Sequence, residues 1–135
     1  MALDIGDTRV GIATSDAHAK LALPLKVLNL HEVLDVAPSF KRLIEDYEPE
    51  FLVVGLPMSL SGQQGQQAKH IQAIAQDISQ KTKLSIEYVD ERLSSKEAKR
   101  ILREQGLDEK SMRGKIDMVA ASLFLQAWLD SKAGM

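Results

Sequence analysis

Residues 3–16 constrain the fold more than any other stretch, because they predict a β-hairpin that carries a carboxylate on its first strand. An apolar run ends at Asp4, a polar turn with Gly6 follows, and residues 10–13 resume with strand composition. Aspartate is disfavoured inside strands, so Asp4 needs a physical reason. It either accepts hydrogen bonds from the amides of the following turn or holds a divalent cation through hard oxygen ligands. The hairpin alone leaves both explanations open.

The composition is that of a single soluble domain. The 135 residues are 44% hydrophobic and 27% charged, and we expect residues 1–135 to form one domain. No apolar run approaches the roughly 18 residues of a membrane helix, and the start does not resemble a signal peptide. The chain has no cysteine, which excludes disulfides and thiol catalysis, and we expect a cytoplasmic protein without a membrane partner. Only three residues precede Asp4, so we also expect that a few N-terminal residues are missing.

The charge is distributed unevenly along the chain. The net charge is -2, but from Arg92 to Lys115 eight basic residues stand against four acidic ones. This local balance of +4 leaves -6 for the remainder. Such segregation predicts either a solvated helix face or one positive face that an anionic polymer could contact. Four of the basic residues recur at helical spacing and form one stripe: Lys96, Lys99, Arg100 and Arg103.

The segments after the hairpin predict an edge strand and a helix. Residues 20–28 alternate loosely and contain Pro24, which suits an edge strand better than a central one. Apolar residues at helical spacing predict a helix over residues 31–47. Pro38 lies either in the first turn of a helix that begins near Val36 or at a kink within a longer one.

The second half of the chain alternates strands with helices. Residues 51–55 form an unbroken apolar run, which is typical of a strand buried on both faces. The polar loop over residues 56–64 has no Walker motif and is either mobile or in contact with substrate. This order predicts an α/β domain with a mixed sheet. The further elements are a helix around residues 71–78, a strand over residues 84–89, a helix from Ser94 that stops at Gly106, and an apolar helix over residues 115–130.

Three carboxylates stand where packing alone would not place them. Asp4 ends the first strand, Asp90 or Glu91 ends the last strand, and Asp117 lies near the start of the most apolar helix. Asp117 shares its helix face with apolar side chains, so it needs a partner, which is a cation, the helix dipole or Lys115. Adjacent strand residues point to opposite faces, so Asp90 and Glu91 cannot both face one site, and Glu91 has the longer reach. If the three ends converge, their repulsion would be costly without a metal ion.

The remaining candidates are weaker. Arg92, beside the acidic pair, is either its salt-bridge partner or a phosphate contact. His18, His31 and His70 are scattered along the chain without ligand spacing. The sequence therefore predicts no histidine as a metal ligand or general base.

Taken in order, several stretches resemble the YqgF/RuvX family of the RNase H-like superfamily, whose members are known as Holliday junction resolvases and pre-16S rRNA nucleases. The resemblance extends over nearly the whole chain, and its ordered set of motifs is far more specific than a short Asp-x-Gly. The matching stretches are LDIGDTRVGIA with Ser15 and Asp16, Pro24-Leu25, VVGLP at residues 53–57 with the Gly62 loop, DERLS at residues 90–94 with Glu97 and Ala98, and Lys115-Ile116-Asp117 with Ala120 and Ala121.

The resemblance implies an RNase H-like α/β fold. Its mixed five-stranded sheet would have three antiparallel strands first and two further parallel strands, flanked by helices. It also implies that Asp4, Glu91 and Asp117 are the catalytic, metal-binding acids. Many RNase H relatives carry an acid at the end of the fourth strand, where this chain reads Gly-Leu-Pro, so Glu91 would be the substitute. The residues expected to contact nucleic acid are Arg9, Arg92, Lys96, Lys99, Arg100, Arg103 and Lys115.

The implied activity is hydrolysis of nucleic-acid phosphodiester bonds with Mg²⁺ or Mn²⁺. Asp4 would bridge two metal ions, and Glu91 and Asp117 would each complete one coordination shell. The substrate would be structured RNA, above all the 5′ end of pre-16S rRNA on its way into ribosomal particles, or branched DNA. A junction resolvase would need a twofold homodimer, whereas an RNA-processing enzyme could work as a monomer.

Two hypotheses from other functional classes are alternatives to the nuclease. The first is a non-catalytic module that binds RNA or the ribosome, although retention of all three acids favours catalysis. The second is the phosphate loop of an actin-like kinase. Those enzymes clamp nucleotide between two such domains, and 135 residues provide one.

Overall fold

The structure is a computed structural model that describes residues 1–16, 18, 20–57, 65–91 and 94–133. Gly62 and Arg92, both named above as candidates, lie outside these residues. The elements are β1 (Ala2–Ile5), β2 (Arg9–Ser15), β3 (Ala22–Asn29), α1 (Leu30–Leu34), α2 (Pro38–Tyr47), β4 (Phe51–Leu56), α3 (Gln66–Thr82), β5 (Ser85–Asp90), α4 (Ser94–Glu104), α5 (Glu109–Arg113) and α6 (Ile116–Ala133).

The strands form one sheet in the order β3-β2-β1-β4-β5. β1 and β2 pair antiparallel, as do β2 and β3, while β4 is parallel to both β1 and β5. The predicted mixed five-stranded sheet is therefore confirmed. β3 lies at one edge, as the Pro24 pattern predicted, and β4 is buried from Leu52 to Leu56.

The first hairpin forms because a backbone hydrogen bond closes its turn. The Gly6 N–H donates to the carbonyl oxygen of Arg9 at 2.8 Å, which closes the turn between β1 and β2. All four residues of β1 are buried at the centre of the sheet. In the antiparallel register Asp4 lies opposite Gly11, so the predicted strand carboxylate is inside the sheet and not in the turn.

Two layers of helices cover the sheet, and strand alternation decides which residues face which layer. Leu3 and Ile5 belong to the core on one face, together with side chains of α1, α2 and α3. Ala2 belongs to the core on the other face, which α6 covers. Asp4 is two residues from Ala2 and therefore points to the α6 side. The apolar helix α6 packs against all five strands and against α4, which explains why it is apolar nearly all round.

The helix predicted over residues 31–47 is instead two helices, α1 and α2. Between them Val36 has a φ of 49°, in the left-handed region, so the chain cannot continue as one helix. Ala37 is extended, as expected for a residue before proline, and Pro38 occupies the first turn of α2. The first-turn position of Pro38 is thus confirmed, although α2 begins two residues after Val36.

The connection between α4 and α6 contains a short helix that the apolar pattern did not predict. Asp108 caps α5 by accepting a hydrogen bond from the Ser111 N–H at 2.8 Å. The stop predicted at Gly106 is confirmed: its φ is 85°, and its N–H donates to the Arg103 carbonyl at 2.9 Å. Glycine suits this position because the left-handed region carries no Cβ penalty for it.

Among the described residues, no helix has both the length and the apolar character required to cross a bilayer.

Candidate active site

Three acidic side chains lie near one end of the sheet, on the face that α6 covers. Asp4 is the third residue of β1 and is 8% exposed, Glu91 directly follows β5, and Asp117 is the second residue of α6. The carboxyl groups of Asp4 and Glu91 are in hydrogen-bonding contact, and Asp117 is close enough to act electrostatically on both. The structure therefore places the three acids that the sequence singled out at the same end of the sheet, with Asp4 and Glu91 in contact and Asp117 apart from them.

Glu91, and not Asp90, shares the site with Asp4. Val89 pairs with Gly55 in the parallel register and packs in the core on the α6 side. The Glu91 N–H donates to the Leu56 carbonyl at 3.1 Å, so strand pairing continues one residue past β5. Two residues after Val89, Glu91 returns to the α6 face, whereas Asp90 is exposed.

Gly11 explains how Asp117 comes so close to Asp4. A Cβ added at Gly11 would lie 2.1 Å from the carbonyl carbon of Asp117 and 2.5 Å from the Met118 nitrogen. The first turn of α6 thus rests directly on the backbone of β2, opposite Asp4. Only glycine leaves room for this approach, because the atoms in the way belong to backbone and cannot rotate aside.

Gly55 does the same for Glu91. A Cβ there would lie 2.9 Å from the Cβ of Glu91, 3.0 Å from its Oε2 and 2.7 Å from Cε2 of Phe124. The Glu91 side chain therefore lies across β4 towards β1. We did not predict the role of either glycine, although a glycine inside a strand pattern is the known signal for a close approach.

The electrostatics of the site follow from burial and mutual repulsion. Burial, the charges of Glu91 and Asp117, and the hydrogen bond to Glu91 raise the pKa of Asp4 to about 8. Burial also raises the pKa of Glu91, with further contributions from Asp90 and Asp117, while its hydrogen bond with Asp4 opposes the rise. Near neutral pH the pair therefore keeps a proton that its two carboxyl groups share.

Asp117 differs from the other two acids because it has a cationic partner. Burial raises the pKa of Asp117, and the guanidinium of Arg9 opposes that rise. Arg9 Nε lies 3.5 Å from Asp117 Oδ2. Of the partners considered from sequence, Lys115 is exposed just before α6 and its carbonyl accepts from the Val119 N–H. The ion-pair partner is Arg9, which sequence had assigned only to phosphate.

The predicted basic stripe on α4 is partly neutralised by acids of its own neighbourhood. Arg100 forms ion pairs with Glu97 and, at 2.6 Å, with Glu104. Arg103 pairs with Glu109 at 3.4 Å. Lys96 and Lys99 are exposed and have no ion-pair partner within the part of the chain that the structure describes.

The donor set fits a hard divalent cation in its chemistry, and two of its members already touch. Carboxylate oxygens are the ligands that Mg²⁺ and Mn²⁺ prefer, and metal charge would offset the burial and the repulsion that raise the pKa of Asp4. Among the described residues, however, no three histidine or acidic side chains form a compact ligand cluster. Asp117, paired with Arg9, is the member that lies apart. A cavity of about 780 Å³ at the other end of the sheet, next to Met1 and Trp128, includes none of the three acids.

The chain is similar to known proteins along almost its whole length. Residues 1–131 match the family described as RuvX: Holliday junction resolvase. A protein of Chloroflexus aurantiacus named "Putative pre-16S rRNA nuclease" is 39% identical over 132 residues, covering 98% of this chain and 86% of that protein. Proteins of the same name from Gloeothece citriformis and Anaeromyxobacter sp. are 39% and 36% identical, covering 100% and 98% of this chain. These alignments cover 89% and 96% of the two relatives.

A solved structure shares the fold. The "Thermus thermophilus RuvC structure" matches with a TM-score of 0.55 at 13% identity, covering 98% of this chain and 94% of that chain. At this identity the likeness concerns the fold alone. It confirms the RNase H-like α/β architecture expected from the resemblance.

Proposed function

Because this chain belongs to the RuvX family of Holliday junction resolvases, we propose that it is a divalent-metal-dependent nuclease with Asp4, Glu91 and Asp117 as its catalytic acids. The observation that supports this assignment most strongly is the contact between the buried carboxyl groups of Asp4 and Glu91. Two buried acids in contact destabilise a fold, because each loses hydration and the two repel each other once both are ionised. An arrangement that costs stability is best explained by a ligand that needs it.

The ligand proposed is Mg²⁺ or Mn²⁺, held by carboxylate oxygens of the three acids. When bound, such an ion would supply an activated water and would stabilise the leaving oxygen, and two ions would divide these roles. The residues of the chain position it: Asp4 stands on the central strand, and Gly11 allows α6 to bring Asp117 close. Asp4 and Glu91 must first lose their shared proton, so metal affinity should increase with pH.

Exposed basic side chains around this end of the sheet would hold the nucleic acid. Arg9 lies at the rim of the site, Lys115 immediately precedes α6, and Lys96 and Lys99 are exposed on α4. Contacts of this kind go to backbone phosphates and supply affinity without sequence preference. The ion-paired Arg100 should contribute less.

We favour structured RNA, namely the 5′ end of pre-16S rRNA, as the substrate, because the curated relatives carry that name. Branched DNA is the second candidate, since it is the substrate in the description of the family. The two differ in the assembly they require, because a symmetric junction calls for a twofold dimer whereas RNA processing needs only a monomer. Action on ribosomal precursors would place the protein in the cytoplasm.

A side-by-side cleavage assay tests this function. A labelled precursor leader and a synthetic four-way junction are incubated with Mg²⁺, Mn²⁺ or EDTA, with the wild type, Asp4→Asn and the exposed control Asp46→Asn. We expect cleavage that EDTA abolishes, that Asp4→Asn reduces by more than about 100-fold, and that Asp46→Asn leaves unchanged. The preferred substrate distinguishes RNA processing from junction resolution. If neither substrate is cut while both are bound in EDTA, a non-catalytic binding module replaces the nuclease.

A further inference from the structure

The ion pair between Arg9 and Asp117 is the feature that sets Asp117 apart from the other two acids. Arg9 Nε lies 3.5 Å from Asp117 Oδ2, and the two side chains are 47% and 27% exposed. Asp4 and Glu91, in contrast, contact each other and are more deeply buried. In the described parts of the chain the three acids do not form a compact ligand cluster. Two of the three proposed ligands, Asp4 and Glu91, are therefore in contact, while the third, Asp117, is paired with Arg9.

The Arg9 contact has the properties of an exchangeable one. Exposed ion pairs shift an equilibrium by a factor of about five at most, and the Nε–Oδ2 distance of 3.5 Å in this pair is long for a charged hydrogen bond. A guanidinium binds phosphate better than a single carboxylate oxygen, because it can donate two parallel hydrogen bonds to phosphate. A substrate phosphate could reach Arg9, because Arg9 is exposed at the start of β2, beside the exposed turn residues Asp7 and Thr8.

Building on the proposed nuclease function, we propose that Arg9 is a positioning residue that exchanges Asp117 for a substrate phosphate. Without nucleic acid, Arg9 keeps Asp117 paired and competes with the metal ion for that carboxylate. When a backbone phosphate binds the guanidinium, Asp117 is released and can bind the metal ion together with Asp4 and Glu91. Nucleic acid and metal then strengthen each other's binding, and linkage requires the effect to be reciprocal.

The exchange predicts opposite effects of one substitution on two ligands. Mn²⁺ binding is measured by calorimetry, and binding of a short RNA duplex is measured in EDTA, for the wild type, Arg9→Gln and Arg9→Lys. Arg42→Gln is the matched control, because Arg42 is exposed on α2, on the other face of the sheet. We expect Arg9→Gln to bind Mn²⁺ about two- to fivefold more tightly and the duplex more weakly. Arg9→Lys keeps the charge that pairs with Asp117, so its Mn²⁺ affinity should stay near that of the wild type, but it should bind the duplex more weakly because it lacks the two-hydrogen-bond guanidinium contact. The control should change neither affinity.

A second comparison isolates the coupling. The duplex, checked by gel to be intact after the titration, should tighten Mn²⁺ binding by the wild type but not by Arg9→Gln. Weaker or unchanged Mn²⁺ binding by a folded Arg9→Gln protein would overturn the exchange. Arg9 would then only hold Asp117 in position, and the proposed nuclease function would not be affected. If neither protein binds Mn²⁺, both the exchange and the proposed metal site are wrong.

Discussion

Replacing Gly11 by alanine tests whether the close approach of α6 to β2 builds the site. The new Cβ would lie 2.1 Å from the Asp117 carbonyl carbon, 2.2 Å from its oxygen and 2.5 Å from the Met118 nitrogen. Ordinary contacts begin near 3.4 Å, so the first turn of α6 would have to withdraw by about 1.3 Å. No side-chain rotation relieves the overlap, because all three atoms are backbone.

The structure allows the cost to be worked out. Forcing extra volume into a packed interior costs about 1–3 kcal/mol, and more when backbone must move. Withdrawing α6 would also loosen the packing of Phe124 and Leu125 against the sheet. Alanine returns about 0.5–1 kcal/mol through its lower backbone entropy in the unfolded chain. Because the overlap is with backbone, the cost should be about 3 kcal/mol, and we therefore expect Gly11→Ala to lower the free energy of unfolding by about 2–2.5 kcal/mol.

Urea unfolding measures this loss, with Gly114→Ala as the matched control. Gly114 lies just before α6, has a φ of -83°, and has no heavy atom within 4 Å of an added Cβ. The control should be neutral or stabilising by up to about 1 kcal/mol. A loss below about 1 kcal/mol for Gly11→Ala, at an unchanged denaturant slope, would refute the packing argument. A folded Gly11→Ala protein should also bind Mn²⁺ more weakly, because Asp117 is displaced.

Three further predictions concern charge and packing at the same end of the sheet. Because the pKa of Asp4 rises from 3.8 to about 8 on folding, the native state holds a proton that the unfolded state lacks between these values. Stability of the metal-free protein should therefore fall by up to about 1.4 kcal/mol per pH unit as the pH rises through this window. Urea midpoints check this, and Asp4→Asn should flatten the slope; a rise with pH in the wild type would contradict it. Gly55→Ala should cost less than Gly11→Ala, about 1–2 kcal/mol, because the atoms in its way belong to side chains that can shift, and equal losses in urea would count against this distinction. Lys99→Gln should reduce the salt slope of duplex binding by about 0.9, whereas Arg100→Gln should reduce it less; equal slopes would show that the ion pairs of Arg100 do not neutralise it.

Local patterns in the sequence were sufficient to predict most of the fold. The hairpin could be predicted because an Asp-x-Gly turn and alternating apolar residues act over a few positions, and the buried strand β4 because both of its faces need apolar side chains. The place of α2 followed from Pro38, but the left-handed Val36 that separates it from α1 did not, since nothing in a valine predicts a positive φ.

The site was predicted as a set of residues but not as an arrangement. That Gly11 and Gly55 make room for Asp117 and Glu91 depends on which elements cross, and this is tertiary information. The pairing of Arg9 with Asp117 also joins residues far apart in sequence. The ion pairs that neutralise Arg100 in the α4 stripe could, however, have been predicted from the sequence, because Glu97, Arg100 and Glu104 have the spacing of helical ion pairs.

Anomalous scattering can locate the divalent ion that the three acids are proposed to hold. Crystals of the wild-type protein grown with Mn²⁺ at a pH above 8, where Asp4 can ionise, would be measured for anomalous scattering from manganese. We expect an anomalous peak within coordinating distance of Asp4 and Glu91, and its loss in Asp4→Asn. A structure of the wild type with manganese bound elsewhere, or with none at a saturating concentration, would contradict it.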